Sequence, residues 1–165
     1  MKNEELKNFK LPSYREIPDV GLYLDQVAKY INSYLQDFPE MAVTPSMISN
    51  YAKAKLIARI NKKTYTREQI SCLIFIVLSK TVLSITNIRM ILEEIHAENN
   101  ETENSYEYFR NCVESLLGSM NEEDDSPAIT SEDDTEQMLK NIAISVAHKM
   151  YLEHYFETKR KDQEA

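Results

Sequence analysis

The sequence predicts an all-α fold interrupted by one short β-hairpin, and three observations predict it. Glycine occurs only at Gly21 and Gly118, too few for a sandwich of tight turns or for a Gly-rich phosphate loop. Apolar residues recur at steps of three and four in most segments. Helix-capping residues stand ahead of those segments at Asp19, Thr44, Thr66 and Ser84. At 165 residues the chain makes one domain, or a small head with a helical extension, and it buries enough surface to fold without disulfides or metals.

The elements follow in order. Residues 1–14 read as an N-terminal tail, polar and frayed from Met1 to Lys10, and the chain from Leu11 to Pro18 reads as extended, punctuated by two prolines. Asp19 caps a first helix whose apolar face is Leu24, Val27, Ile31 and Tyr34-Leu35. Thr44 caps a second, with Pro45 at its first position, where a missing N–H costs nothing. Met47, Ile48, Tyr51 and Leu56 then face inward, leaving Ser46, Ser49, Asn50 and Lys53 outward. From Ile57 to Tyr65 an apolar and basic mixture with Asn61 at its corner permits two short strands about a turn. Thr66 and Gln69 form a capping box for a third helix that is apolar nearly all round through Leu78 and needs cover on several sides. Ser84 opens a fourth, with Ile85, Ile88, Ile91-Leu92 and Ile95 on one stripe. After a polar break from Glu98 to Asn104, a helix from about Ser105 is stopped by Gly118. An acidic linker over 119–136 leads to a final helix, from about Glu132 or Asp133 to Lys159.

Charge divides the chain. Residues 1–92 carry a net +5 and residues 93–165 a net −13, together the −8 of the whole. Between Met41 and Arg67 there is no acid, while Lys53, Lys55, Arg59, Lys62, Lys63 and Arg67 supply six positive charges. Binding depends on the field near one face, so this reversal of sign outweighs the acidic total. A capped helix, a basic hairpin and a second capped helix follow in the order a winged helix-turn-helix needs to lie on DNA.

The residues Val43-Thr44-Pro45, Tyr51, Leu56-Ile57, Tyr65-Thr66 and Ile70, with Leu83-Ser84-Ile85, Ile88-Arg89 and Ile91-Leu92 further on, resemble the DNA-binding head of the MerR family of bacterial regulators. The likeness covers about Gln26 to Leu92. The full chain also resembles an uncharacterised bacterial family built around such a head. One position departs: the family's usual Arg-Tyr-Tyr reads Ser49-Asn50-Tyr51, so a phosphate-binding Arg has lost its charge. The resemblance implies a MerR-like winged helix-turn-helix domain over 15–97, with a helical dimerisation or sensor region over 98–165.

These readings make the chain a transcriptional regulator of double-stranded DNA, acting as a homodimer. Recognition helix 44–55 and basic wing 57–65 are its contact elements. Ser46, Ser49, Asn50 and Lys53 lie nearest base edges and phosphates, and Asn50 suits an adenine edge. Arg59, Lys62, Lys63 and Arg67 meet phosphates or the minor groove, and the helix N-terminus at Thr44 offers backbone N–H groups to a phosphate. Tyr51 reads as a core ring. Tyr65, at the wing's base, either reaches a phosphate or joins the core.

No Cys–His pair, HExxH, Ser–His arrangement or P-loop is present, so neither an enzyme, a metal nor a cofactor is expected. His148 reads as buried or interfacial. Cys72 and Cys112 are unclustered and no secretory segment precedes them, which suggests a cytoplasmic setting without a membrane. Two alternatives belong to other classes. One is a protein-binding adaptor using the same head. The other is a small-molecule sensor whose C-terminal helices hold an effector among Ile142, Val146, Phe109 and Tyr151.

Overall fold

A computed structural model describes residues 4–58, 63–97, 102–120 and 133–165. Helices dominate: α1 (Glu4–Lys7), α2 (Leu24–Ser33), α3 (Pro45–Lys53), α4 (Arg67–Ser79), α5 (Ile85–Ala97), α6 (Thr102–Ser119) and α7 (Asp134–Glu164). Two-residue strands β1 (Leu22–Tyr23) and β2 (Thr64–Tyr65) pair antiparallel, Leu22 opposite Tyr65 and Tyr23 opposite Thr64. Of the hairpin expected within 57–65 only the two ends fall among the described residues. The observed partner of Thr64–Tyr65 is the segment ahead of α2, while Ile57 is buried and Ala58 is irregular. The wing's turn, with Arg59 and Lys62, lies outside the described residues.

This pairing also moves the start of α2. Asp19 does not cap it; the chain first turns at Gly21, where φ is +80°, and α2 begins after Tyr23, whose N–H donates to Gln26 Oε1 at 2.9 Å. A Cβ on Gly21 would lie 3.0 Å from Thr64 Oγ1, so glycine serves both the left-handed conformation and the close approach to β2.

Helix α4 is the centre of the core. Its capping box forms as predicted, with Thr66 N–H donating to Gln69 Oε1 at 2.9 Å and Gln69 N–H to Thr66 Oγ1 at 3.2 Å. From Gln69 to Ser79 nearly every residue is buried. The all-round cover comes from within the chain: α6 and α7 pack along each other and both meet α4, with Phe75 edge-on to Phe109 at 4.9 Å. One continuous cluster joins buried residues of α2 to α5 to Phe109, Val113, Leu117, Ala143, Val146 and Met150 of the last two helices.

From Glu4 onward the N-terminal stretch is packed rather than frayed. Leu6, Phe9 and Leu11 are buried, and Phe9 meets Phe38 edge-on at 5.5 Å. The strap is tied to α6 by side chains. Glu114 Oε1 accepts from Leu11 N–H at 2.8 Å, Glu107 Oε1 from Tyr14 N–H at 2.6 Å, and Tyr106 donates to the Pro12 carbonyl at 2.6 Å. Arg110 lies between the two carboxylates, 2.6 Å from Glu107 and 3.2 Å from Glu114. Burial pushes Glu107 up, but the hydrogen bonds from Arg110 and from the Tyr14 N–H outweigh it and hold the carboxyl below its ordinary value.

Two further boundaries differ. Gly118 stays inside the last turn of α6, where a Cβ would meet nothing within 4 Å. Helix α7 starts after Asp133, whose Oδ1 accepts from Thr135 N–H at 2.8 Å, and runs on to Glu164. Most of the acidic linker, 121–132, and residues 98–101 of the polar break lie outside the described residues.

Candidate nucleic-acid interface

Helix α3 is held at both ends by contacts that fix its pose. At its start Thr44 Oγ1 accepts from Met47 N–H at 3.1 Å, with Pro45 in the first turn. Just before it, Asn32 of α2 donates from Nδ2 to the Val43 carbonyl at 2.8 Å and accepts at Oδ1 from the Val43 N–H at 2.8 Å. At its end the Leu56 N–H reaches back to the Tyr51 carbonyl and the Lys55 N–H to the Ala52 carbonyl, each at 3.1 Å. That is the Schellman pattern, and its left-handed position is filled by Lys55, at φ 61°, where glycine is usual. Arg89 of α5 adds a 2.9 Å hydrogen bond to the Ala54 carbonyl.

Between these ends α3 turns Ile48 fully inward, with Met47 and Tyr51 half-buried. Ser46, Asn50 and Lys53 are exposed, Ser49 is half-buried, and Thr44 is exposed at the N-terminus. The connection from α2 to α3 runs from Tyr34 to Thr44 and includes a single 3-10 turn at Pro39–Met41. It is longer than the three or four residues of a tight helix-turn-helix corner.

The basic residues divide into two groups. Lys53, Lys55 and Lys63 are exposed around α3 and the start of β2. Lys80, at the end of α4, joins them: its ammonium lies 5.8 Å from the Tyr51 ring centroid. In sequence Lys80 stands apart from the basic run, with residues 68–79 between it and Arg67; only the fold brings α4's end back to α3.

Arg67 and Tyr65 belong to the interior framework. Arg67 Nε donates to the Ile17 carbonyl at 2.8 Å and its Nη2 to the Arg15 carbonyl at 3.1 Å, with Asp19 3.9 Å away and the Tyr14 ring beneath. Its guanidinium ties the strap to α4. Tyr65 is 5% exposed, and burial pushes its hydroxyl up, so of its two readings the core one stands. Arg59 and Lys62 lie outside the described residues.

The remaining expectations sort by burial. His148 is exposed, and the buried histidine is His154, with Nδ1 3.6 Å from Glu5 Oε2. Burial first, and Glu68 second, push the Cys72 thiol up to about 12, and burial raises Cys112 as well. Of the residues named for an effector pocket, Phe109 and Val146 are closed into the core, Tyr151 is half-buried, and Ile142 edges an open groove. A cavity of about 50 Å³ beside Cys72, Phe75, Leu92 and Ile95 has room for little more than water. Among the described residues no group of three or more His, Cys, Asp or Glu is placed to hold a metal, and no helix is long and apolar enough to cross a membrane.

A family model, the domain of unknown function DUF1836, matches residues 12–112. The chain belongs to that family. The DUF1836 region takes in the strap from Pro12, the four helices α2 to α5 and α6 as far as Cys112, and leaves α7 beyond it. The match carries no MerR-like description. No curated protein and no solved structure matches the chain.

Proposed function

We propose that this DUF1836 protein is a sequence-specific DNA-binding regulator that uses α3 as its recognition helix in a MerR-like winged head. The observation that supports this best is the pose of α3. A helix clamped by Asn32 and Arg89 presents Ser46, Asn50 and Lys53 to solvent, inside a stretch of chain without a single acid. A helix about 10–12 Å across fits a major groove about 12 Å wide. In this reading Asn50 pairs with an adenine edge, and Ser46, Ser49 and Lys53 flank it. Lys55, Lys63 and Lys80 meet phosphates together with Arg59 and Lys62, and the α3 N-terminus at Thr44 supplies backbone N–H groups. Tyr65 and Arg67 take no part in contact. The protein acts as a homodimer in the cytoplasm, without catalysis or a cofactor.

One observation favours the adaptor reading. Val20 and Tyr23, 88% and 58% exposed, stand just ahead of β1 and within it, and would suit a protein partner better than a phosphate backbone. Selection from a random duplex pool separates the two readings. Enrichment of one sequence family, lost with Asn50→Ala, supports the regulator. Absence of enrichment, together with no salt-dependent retention on heparin, overturns it.

A further inference from the structure

Helix α7 has two faces with different fates. Leu139, Ala143, Val146 and Met150 pack into the core. On the opposite side Asp134 and Met138 open a stripe of exposed residues, Tyr155 and Lys159 close it, and those between fall at alternating steps of four and three. That average of 3.5 is the spacing of a seam between two paired helices, and it is sustained over about 38 Å of helix.

The stripe is complementary to its own reverse. If a second α7 lies antiparallel with the two-fold axis between Val146 and Ala147, Asp134 faces Lys159, Met138 faces Tyr155, Asn141 faces Leu152 and Ser145 faces His148. Apolar meets apolar toward both ends: Met138 is 39% and Tyr155 45% exposed in the single chain. Charge selects the direction. The first turn of α7 is acidic, with Asp134 and Glu136, while Lys159, Arg160 and Lys161 stand together near its end between Glu157 and Asp162. A parallel pair would stack Asp134 on Asp134 and Lys159 on Lys159, whereas an antiparallel pair matches opposite charges and opposite helix dipoles.

The surroundings fit the same partner. Beside the first half of the stripe lies an open groove of about 710 Å³, with Val82, Leu83, Met138 and Ile142 on its walls and Glu94 on its rim. Phe156, 52% exposed, lies 14 residues after Ile142 and so on the same flank of the stripe; in this register it comes level with Gln137 and Met138 on the flank where Ile142 lines that groove. The geometry points to a second copy of this chain as the occupant of the α7 face, docked antiparallel with Phe156 of each copy entering the groove of the other. Ser145 facing His148 at the centre of the seam favours this register, and the polar residues there keep the association reversible. This deepens the dimeric part of the proposed function and rests on it. Its test uses no DNA, so failure of the pairing and failure of DNA recognition are read separately.

Sedimentation equilibrium of the full chain at tens of micromolar is expected to approach twice the 19.2 kDa chain mass. Asp134→Lys or Lys159→Asp alone is expected to weaken association about tenfold or more, and the two changes together to restore it. All four positions at the stripe's ends are exposed, so the single variants keep the fold, as circular dichroism will register. Under mild oxidation a mixture of Met138→Cys and Tyr155→Cys proteins is expected to give a cross-linked heterodimer, with neither variant cross-linking alone. A 19.2 kDa species throughout, a double variant no better than the singles, or cross-linking of each Cys variant only with itself would each overturn the pairing.

Discussion

The carboxamide of Asn32 grips Val43 twice, donating to its carbonyl and accepting from its N–H, both at 2.8 Å. One side chain of α2 thereby satisfies the backbone immediately ahead of α3 and sets the angle at which α3 leaves the core. The contact replaces the short corner of a tight helix-turn-helix, since the connection here is eleven residues from Tyr34 to Thr44.

Asn32→Ala removes both bonds and leaves a part-buried N–H and carbonyl without partners. A loss of about 1–3 kcal/mol in urea unfolding is expected. Because α3 is then free to tilt, duplex affinity should fall further than the lost stability accounts for. Asn32→Asp keeps the acceptor but sets a carboxylate against the Val43 carbonyl, so it should not rescue the fold.

Lys55 occupies the left-handed position of the α3 cap at a conformational cost that glycine would not carry. Lys55→Gly is therefore expected to stabilise the protein, by about 1 kcal/mol in the same unfolding assay. If Lys55 contacts a phosphate, the variant will also bind duplex DNA with a salt slope shallower by about 0.9. A stabilised protein with weaker DNA binding would show why lysine stands at this turn.

The strap carries a pH dependence. Glu107 has its carboxyl held below the ordinary value of 4.5 in the folded protein, so its contribution is fully present above that value. It is lost as pH falls through the lowered value, because the folded state then binds a proton and gives up the Arg110 and Tyr14 bonds. Melting temperature measured from pH 6 downward should fall more steeply in the wild type than in Glu107→Gln. Hydrogen exchange at the Tyr14 amide should accelerate over the same range.

Much of this architecture is legible in local chemistry. The caps at Thr44, Thr66 and Ser84 are short-range, each side chain bonding a backbone N–H three residues on, and all three form. What sequence reading missed depends on distant partners. Leu6, Phe9 and Leu11 sit among lysines and asparagines, and their partners are distant in sequence: α1 packs on α6, Phe9 meets Phe38, and Glu114 holds the Leu11 N–H. Arg67 looked like part of the basic run because nothing local announces that the Ile17 and Arg15 carbonyls will claim it. The start of α2 was misplaced for a similar reason, since β1 exists only through its pairing with β2. On α3 the periodicity assigned the outward residues well, but it gave no access to Lys80, which reaches that surface only through the fold.

The central claim is that the exposed face of α3 reads duplex sequence while the lysines around it supply position. The most direct measurement is fluorescence anisotropy with a selected duplex and an unrelated one, from low to moderate salt, for the wild type, Asn50→Ala and Lys62→Ala/Lys63→Ala. Asn50→Ala should cost about 1–3 kcal/mol on the selected duplex alone and leave the salt slope unchanged. The double lysine variant should weaken binding to both duplexes alike and lower the slope by about two. Wild-type protein that binds neither duplex at low salt, or a double variant that binds both as tightly as the wild type, would contradict the account.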